Sequence, residues 1–113
     1  PAFLQEASAA VEKLIPGARP VPFGHLGDGN VHFNIAQPAG ADRKKFIDRW
    51  DEVNAVVYKV LERYGGSISA EHGIGVQKRN HLPLVKDAVE YALMRALKRM
   101  LDPRNILNPG KVL

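Results

Sequence analysis

Residues 24–34 read GHLGDGNVHFN, and they constrain the fold more than any other stretch. Asp-Gly flanked by alternating apolar residues is a strong short-range signal for a β-hairpin. Taking Asp28-Gly29 as a two-residue turn sets Gly27 opposite Asn30, Leu26 opposite Val31 and His25 opposite His32. Directly opposed residues share a face, with Cβ atoms ~4.5–5.5 Å apart. Leu26, Val31, Phe33 and Ile35 then line one face, and His25, Asn30, His32 and Asn34 line the other. The first face suits packing on helices. The second is polar and sets two imidazoles side by side.

Helical patterns flank the hairpin. Phe3, Ala7, Val11, Leu14 and Ile15 have helical spacing, with Gly17 as a stop. From about Asp42 to Tyr64, Phe46, Trp50, Val53, Val57, Val60 and Tyr64 form one apolar stripe, closed by Gly65-Gly66. Trp50 and Tyr64 are expected in the core. SISAEHGIG reads as a short extended segment entering a glycine-rich loop, and KRNHLPLV as a loop or a broken helical turn. DAVEYALMRALKRMLD is the last helix, with Val89, Leu93, Ala96, Leu97 and Met100 inward and Pro103 as its stop. The tail NILNPGKVL carries an Asn-Pro-Gly turn signal.

The order α-β-β-α-(β)-α predicts an α+β fold. A small antiparallel sheet centred on the hairpin packs on helices, like half of a ferredoxin-like arrangement, with a further C-terminal helix. The length of 113 residues predicts a single domain over 1–113. An isolated hairpin is marginal in water, so more strands are expected from upstream sequence or from a second copy, and a homo-oligomer with them.

Composition narrows the function. With no cysteine, thiolate metal sites, disulfides and Cys nucleophiles are excluded. The net charge is +4, but the basic residues are interleaved with acids, as in DRKKFIDRWDE, so no nucleic-acid face is expected. No apolar run is long enough for a membrane helix, and the N-terminus does not read as a secretion signal. A cytoplasmic protein, or one peripheral to the inner membrane, is expected. The absence of an initiator Met fits a processed chain or a fragment.

The paired histidines suit a metal. Imidazole nitrogens bind Zn²⁺ at ~2.0–2.1 Å, and catalytic sites take three protein ligands. The third ligand should be a His or a carboxylate, and AEHGIG offers Glu71 and His72. In an extended segment these neighbours point in different directions. His81 lacks such a context and reads as a surface residue. A stand-alone His/Glu metal-binding module or metal hydrolase is one function these residues would serve.

GHLGDGNVHFN, SAEHGIG and DPRNILNPGKVL, in that order, resemble the C-terminal domain of the FAD-linked oxidases. That group includes D-lactate dehydrogenases, the glycolate oxidase flavin subunit and D-2-hydroxyglutarate dehydrogenase. The resemblance covers only the last portion of such an enzyme. It implies His25, His32 and Glu71 as ligands of a divalent metal, zinc being the expected ion. It implies His72 as the active-site base, Asn30 as a substrate contact, and Asn108 and Lys111 as residues near the flavin. It further implies FAD as cofactor, a 2-hydroxy acid as substrate, and an FAD-binding domain of the same parent chain as partner. The chain has no phosphate-binding glycine loop of its own, so it should not turn over alone.

Overall fold

The computed structural model describes residues 2–113, which form two compact units, 2–67 and Ile68–Leu113. The first carries α1 (Ala2–Leu14), β1 (Arg19–His25), β2 (Asn30–Ala36), α2 (Arg43–Ile47) and α3 (Trp50–Arg63). The second carries α4 (Leu82–Val85) and α5 (Ala88–Leu101). The expected α+β class and α-β-β-α order are present. The bracketed third strand is not, because SISAEHGIG is bent and unpaired in any sheet among the described residues.

The first unit is built around a small core. Val11, Ile15 and Ala18 meet Val53 and Val57, and Phe3, Leu14, Phe33, Ile35 and Phe46 pack around them. The i, i+4 spacing of Ala7, Val11 and Ile15 gives α1 one buried stripe. Phe33 and Ile35 reach this core because alternate residues of β2 point the same way. Phe3 locks the layers: its ring meets Phe33 and Tyr64 edge-on, at 6.1 Å and 5.9 Å between centroids.

The long helix expected over 42–64 is two helices. Asp42 caps α2 by accepting from the Lys45 N–H at 3.0 Å. The chain then breaks at Asp48–Arg49 before α3. Arg49 anchors the break: its guanidinium donates to Glu52 at 2.7 Å and to the Leu14 carbonyl at 3.2 Å. The break shifts the stripe. Val53, Val57 and Val60 are buried, but Trp50, at the first turn of α3, is 64% exposed. Tyr64 is also exposed rather than core. Its ring covers Phe3 while its hydroxyl donates to Glu6 at 2.5 Å, and Arg63 pairs with the same carboxylate.

In the second unit, Asp87 caps α5 by accepting from the Val89 and Glu90 N–H groups at 2.9 and 3.2 Å. The apolar stripe of α5 does not point inward as expected. Val89, Leu93, Leu97 and Met100 are all exposed, and no α5 residue is fully buried. A helix stripe needs a second layer to bury it. The only other regular element of this unit is the single turn α4. The buried residues here are Leu82 in α4 and Asp102, just past α5. The Asp102 carboxylate accepts from the Ile106 and Leu107 N–H groups, each at 2.9 Å, and from Lys98. Lys98 also donates to the Leu107 carbonyl at 2.6 Å.

Candidate functional site

The hairpin closes through a longer loop than Asp-Gly alone suggests. Leu26–Asp28 form one 3₁₀ turn, and Gly29 follows in the left-handed region at φ 64°, its N–H donating to the Leu26 carbonyl at 3.3 Å. β1 and β2 therefore pair with His25 opposite Asn30, Gly24 opposite Val31, and Phe23 opposite His32. The expected direct His25–His32 opposition is corrected to a diagonal. Leu26 leaves the sheet and is 95% exposed.

Gly24 explains the observed register. A Cβ at this position would lie 2.0 Å from the Asn30 carbonyl oxygen and 2.9 Å from the Val31 Cα. Only glycine allows the strands to approach so closely there. The register differs from the expected one by two residues, and side chains alternate with a period of two. The face assignment therefore survives. Val31, Phe33 and Ile35 keep the core side, while His25, Asn30, His32 and Asn34 keep the other.

On that outer face the two imidazoles remain close. Their ring centroids are 6.4 Å apart with planes at 67°, and a ring nitrogen of each lies within 4.8 Å of one of the other's. Two nitrogens bonded to one tetrahedral Zn²⁺ lie about 3.3 Å apart. A modest side-chain rotation thus lets both reach one ion, and the pair fits a metal. Asn30 sits opposite His25 and two residues from His32, which puts its amide on the same face. The sequence reading missed Phe23. Its ring stacks on His32 at 4.9 Å and 18°, fixing the orientation of that imidazole. The signal was available, because Phe23 shares the parity of His25.

Glu71 and His72 lie in the second unit, on the bent segment after Ser69. Ser69 donates to the Gly73 carbonyl at 2.5 Å, and Gly73 has φ 70°, so the segment curls. The expected divergence of the two side chains is corrected: a Glu71 carboxylate oxygen lies 3.6 Å from His72 Nε2. Curling replaces the alternation that an extended strand would impose. The His72 ring is largely open to solvent, and Glu71 is exposed as well, its side chain 35% accessible.

Asn108 and Lys111 lie in the C-terminal turn. Asn108 takes a left-handed φ of 47°, and its carbonyl accepts from the Lys111 N–H at 3.3 Å. The Asp102 carboxylate holds the start of this tail through Ile106 and Leu107. His81, read as a surface residue, is half-buried at the start of α4.

Fold and site together define a small α+β protein with an imidazole pair and an amide on one face of a hairpin. The chain belongs to the family described as FAD linked oxidases, C-terminal domain, which it matches over residues 1–112. It is 44% identical, over 99% of its length, to the D-2-hydroxyglutarate dehydrogenase of Stutzerimonas stutzeri (strain A1501). It is 45% identical, again over 99% of its length, to the D-2-hydroxyglutarate dehydrogenase of Xanthomonas citri pv. viticola. Each match covers 24% of the relative. The mitochondrial D-2-hydroxyglutarate dehydrogenase of Danio rerio is 45% identical over 82% of the chain, which covers 16% of that protein. The chain thus spans about a quarter of the length of the bacterial relatives it matches. No helix among the described residues is long and apolar enough to cross a membrane.

Proposed function

We propose that this chain is the C-terminal catalytic part of an FAD-dependent dehydrogenase acting on the CH–OH group of a 2-hydroxy acid. The observation that carries this reading is the family match over residues 1–112, joined to relatives named D-2-hydroxyglutarate dehydrogenase. Among the 2-hydroxy acids of the family, those names favour D-2-hydroxyglutarate over D-lactate and glycolate. The FAD-binding domain belongs to another part of the parent chain. A setting inside the cell, cytoplasmic or at the inner membrane, goes with this reading.

Oxidising a 2-hydroxy acid removes a proton from the hydroxyl and a hydride from the carbon. FAD, when bound, supplies the hydride acceptor, which no protein side chain can. A divalent ion, when bound, supplies Lewis acidity toward the hydroxyl and carboxylate oxygens. His25, His32 and Glu71 would hold that ion, with zinc the first choice for a two-imidazole, one-carboxylate set. The paired imidazoles on the hairpin support this ligand set. His72 takes the hydroxyl proton; an imidazole is the side chain suited to that task near neutral pH. The Asn30 amide orients the substrate through its hydroxyl or carboxylate. Asn108 and Lys111 contact the flavin side of the site.

The test is a chimera. The chain replaces the matching segment of the Stutzerimonas relative, and D-2-hydroxyglutarate-dependent flavin bleaching is followed. Turnover is expected, and His72→Ala should reduce it by about 10²–10⁴-fold with flavin still bound. A folded, flavin-loaded chimera that never bleaches would contradict the reading, as would full activity in the His72→Ala variant.

A further inference from the structure

The C-terminal tail is tied to the second unit at two places. At the first, Asp102 takes the Ile106 and Leu107 N–H groups, and Lys98 donates to the Leu107 carbonyl. At the second, the Val112 N–H donates to the Gly75 carbonyl at 2.8 Å, a contact distant in sequence. Between the ties runs Asn108-Pro109-Gly110-Lys111, closed as a turn by the bond from the Lys111 N–H to the Asn108 carbonyl. The turn that carries Asn108 and Lys111 is thus held at both ends.

Gly75 belongs to the loop that carries Glu71 and His72. The Ser69 hydroxyl closes residues 69–73 into a ring by donating to the Gly73 carbonyl. Next to this ring, Gly73 and Gly75 take left-handed φ angles of 70° and 56°. Glycine has the freest backbone of any residue, so the ring would swing about these two positions if nothing held it. The bond from Val112 holds it. Val112 itself has φ 65°. For a β-branched residue that conformation is an outlier, and such strain persists only where the surroundings impose it. Val112 and Gly75 are both partly buried, so breaking their bond leaves polar groups short of water.

We infer that Val112 is a positioning residue, whose backbone N–H locks the Glu71–His72 loop to the turn that carries Asn108 and Lys111. The inference rests on the dehydrogenase reading, in which His72 takes the hydroxyl proton and Asn108 and Lys111 lie on the flavin side. Proton and hydride leave adjacent atoms of one substrate molecule. Base and flavin must therefore keep a fixed separation, and a displacement of about 1 Å can cost about 10²-fold in rate. The doubly tied tail fixes that separation within one unit of the fold. The Val112 side chain takes no part, because the bond uses the N–H alone. Glycine at 112 keeps the N–H and accepts a left-handed φ, whereas proline does neither.

The test uses the flavin-loaded chimera with the Stutzerimonas relative, followed by amide exchange and by flavin bleaching at saturating D-2-hydroxyglutarate. In the parent chimera the Val112 amide should exchange slowly. Val112→Pro should speed exchange across residues 71–78, where the Lys78 N–H donates to the Ile74 carbonyl. It should lower the saturating rate per bound flavin about 10–100-fold, with the flavin spectrum unchanged. A tail that served stability alone would lower flavin loading and leave the rate per flavin intact. Val112→Gly should match the parent in both readouts. Fast exchange of Val112 in the parent overturns the inference, however the proline variant folds. So does an unchanged rate per flavin in Val112→Pro, or a Val112→Gly variant as impaired as Val112→Pro. A parent chimera that holds flavin and never bleaches contradicts the dehydrogenase reading alone. In that case faster exchange in Val112→Pro but not in Val112→Gly upholds the lock, and equal exchange in both overturns it.

Discussion

His25 and His32 meet on a diagonal across the hairpin, with ring centroids 6.4 Å apart, while His32 stacks on Phe23 at 4.9 Å. Phe23 is thus the residue that orients one imidazole toward the other. Phe23→Ala should leave the hairpin folded and weaken zinc binding by about 2–10-fold, the value of one aromatic stacking contact. Calorimetric titration with Zn²⁺ measures this. An unchanged affinity would mean that the stack does not orient the ligand.

Gly24 sets the register that produces this diagonal. Gly24→Ala places a Cβ 2.0 Å from the Asn30 carbonyl oxygen, and backbone cannot yield there without opening the hairpin. The expected cost is about 2–3 kcal/mol, read from urea denaturation. Gly27→Ala, where an added Cβ meets nothing within 4 Å, should change stability by less than about 0.5 kcal/mol.

Much of this was legible beforehand, and the misses have physical causes. Apart from Leu26, which leaves the sheet, the face assignment of the hairpin was correct although its register was off, since a slip of two residues preserves side-chain parity. Asp28-Gly29 suits a two-residue turn, but the steric demand at Gly24 selects the longer loop with its 3₁₀ turn. The α1 stripe was read correctly because Ala7, Val11 and Ile15 face the core of their own unit. The α5 stripe was equally regular and misled, because periodicity reports an apolar face and not what covers it. The break at Asp48–Arg49 depends on Arg49 reaching the Leu14 carbonyl, a contact distant in sequence. The roles of Glu71 and His72 came from a motif, whose spacing does not reveal that the segment curls.

The contrast between α1 and α5 is itself measurable. Val11 is completely buried, and Val11→Ala should cost about 2 kcal/mol. Leu93 is exposed, and Leu93→Ala should stay within about 0.5 kcal/mol in this chain. Thermal denaturation of both variants checks this. A large loss from Leu93→Ala would mean that α5 is packed in solution.

Asp102 ties the C-terminal tail to the end of α5. The hydrogen bond from Lys98 lowers its pKa below the ordinary 3.8; burial opposes this, and the Ile106 and Leu107 amides reinforce it. A carboxylate with a depressed folded-state pKa stabilises fully above its unfolded value. That contribution is lost as the pH falls through the depressed value. Protection of the Ile106 and Leu107 amides should therefore be constant from neutral pH down to about 4 and fall below it. Asp102→Ala should abolish the protection at every pH. Equal protection in parent and variant would contradict the tether.

The most direct test of the central claim, that the hairpin histidines hold a metal, is zinc content by elemental analysis after equilibration with Zn²⁺ and dialysis. The parent chain and His32→Ala are compared, with circular dichroism confirming that both are folded. The account predicts about one zinc per parent chain and almost none in the variant. A parent that retains no zinc, or a variant that retains as much as the parent, would contradict it.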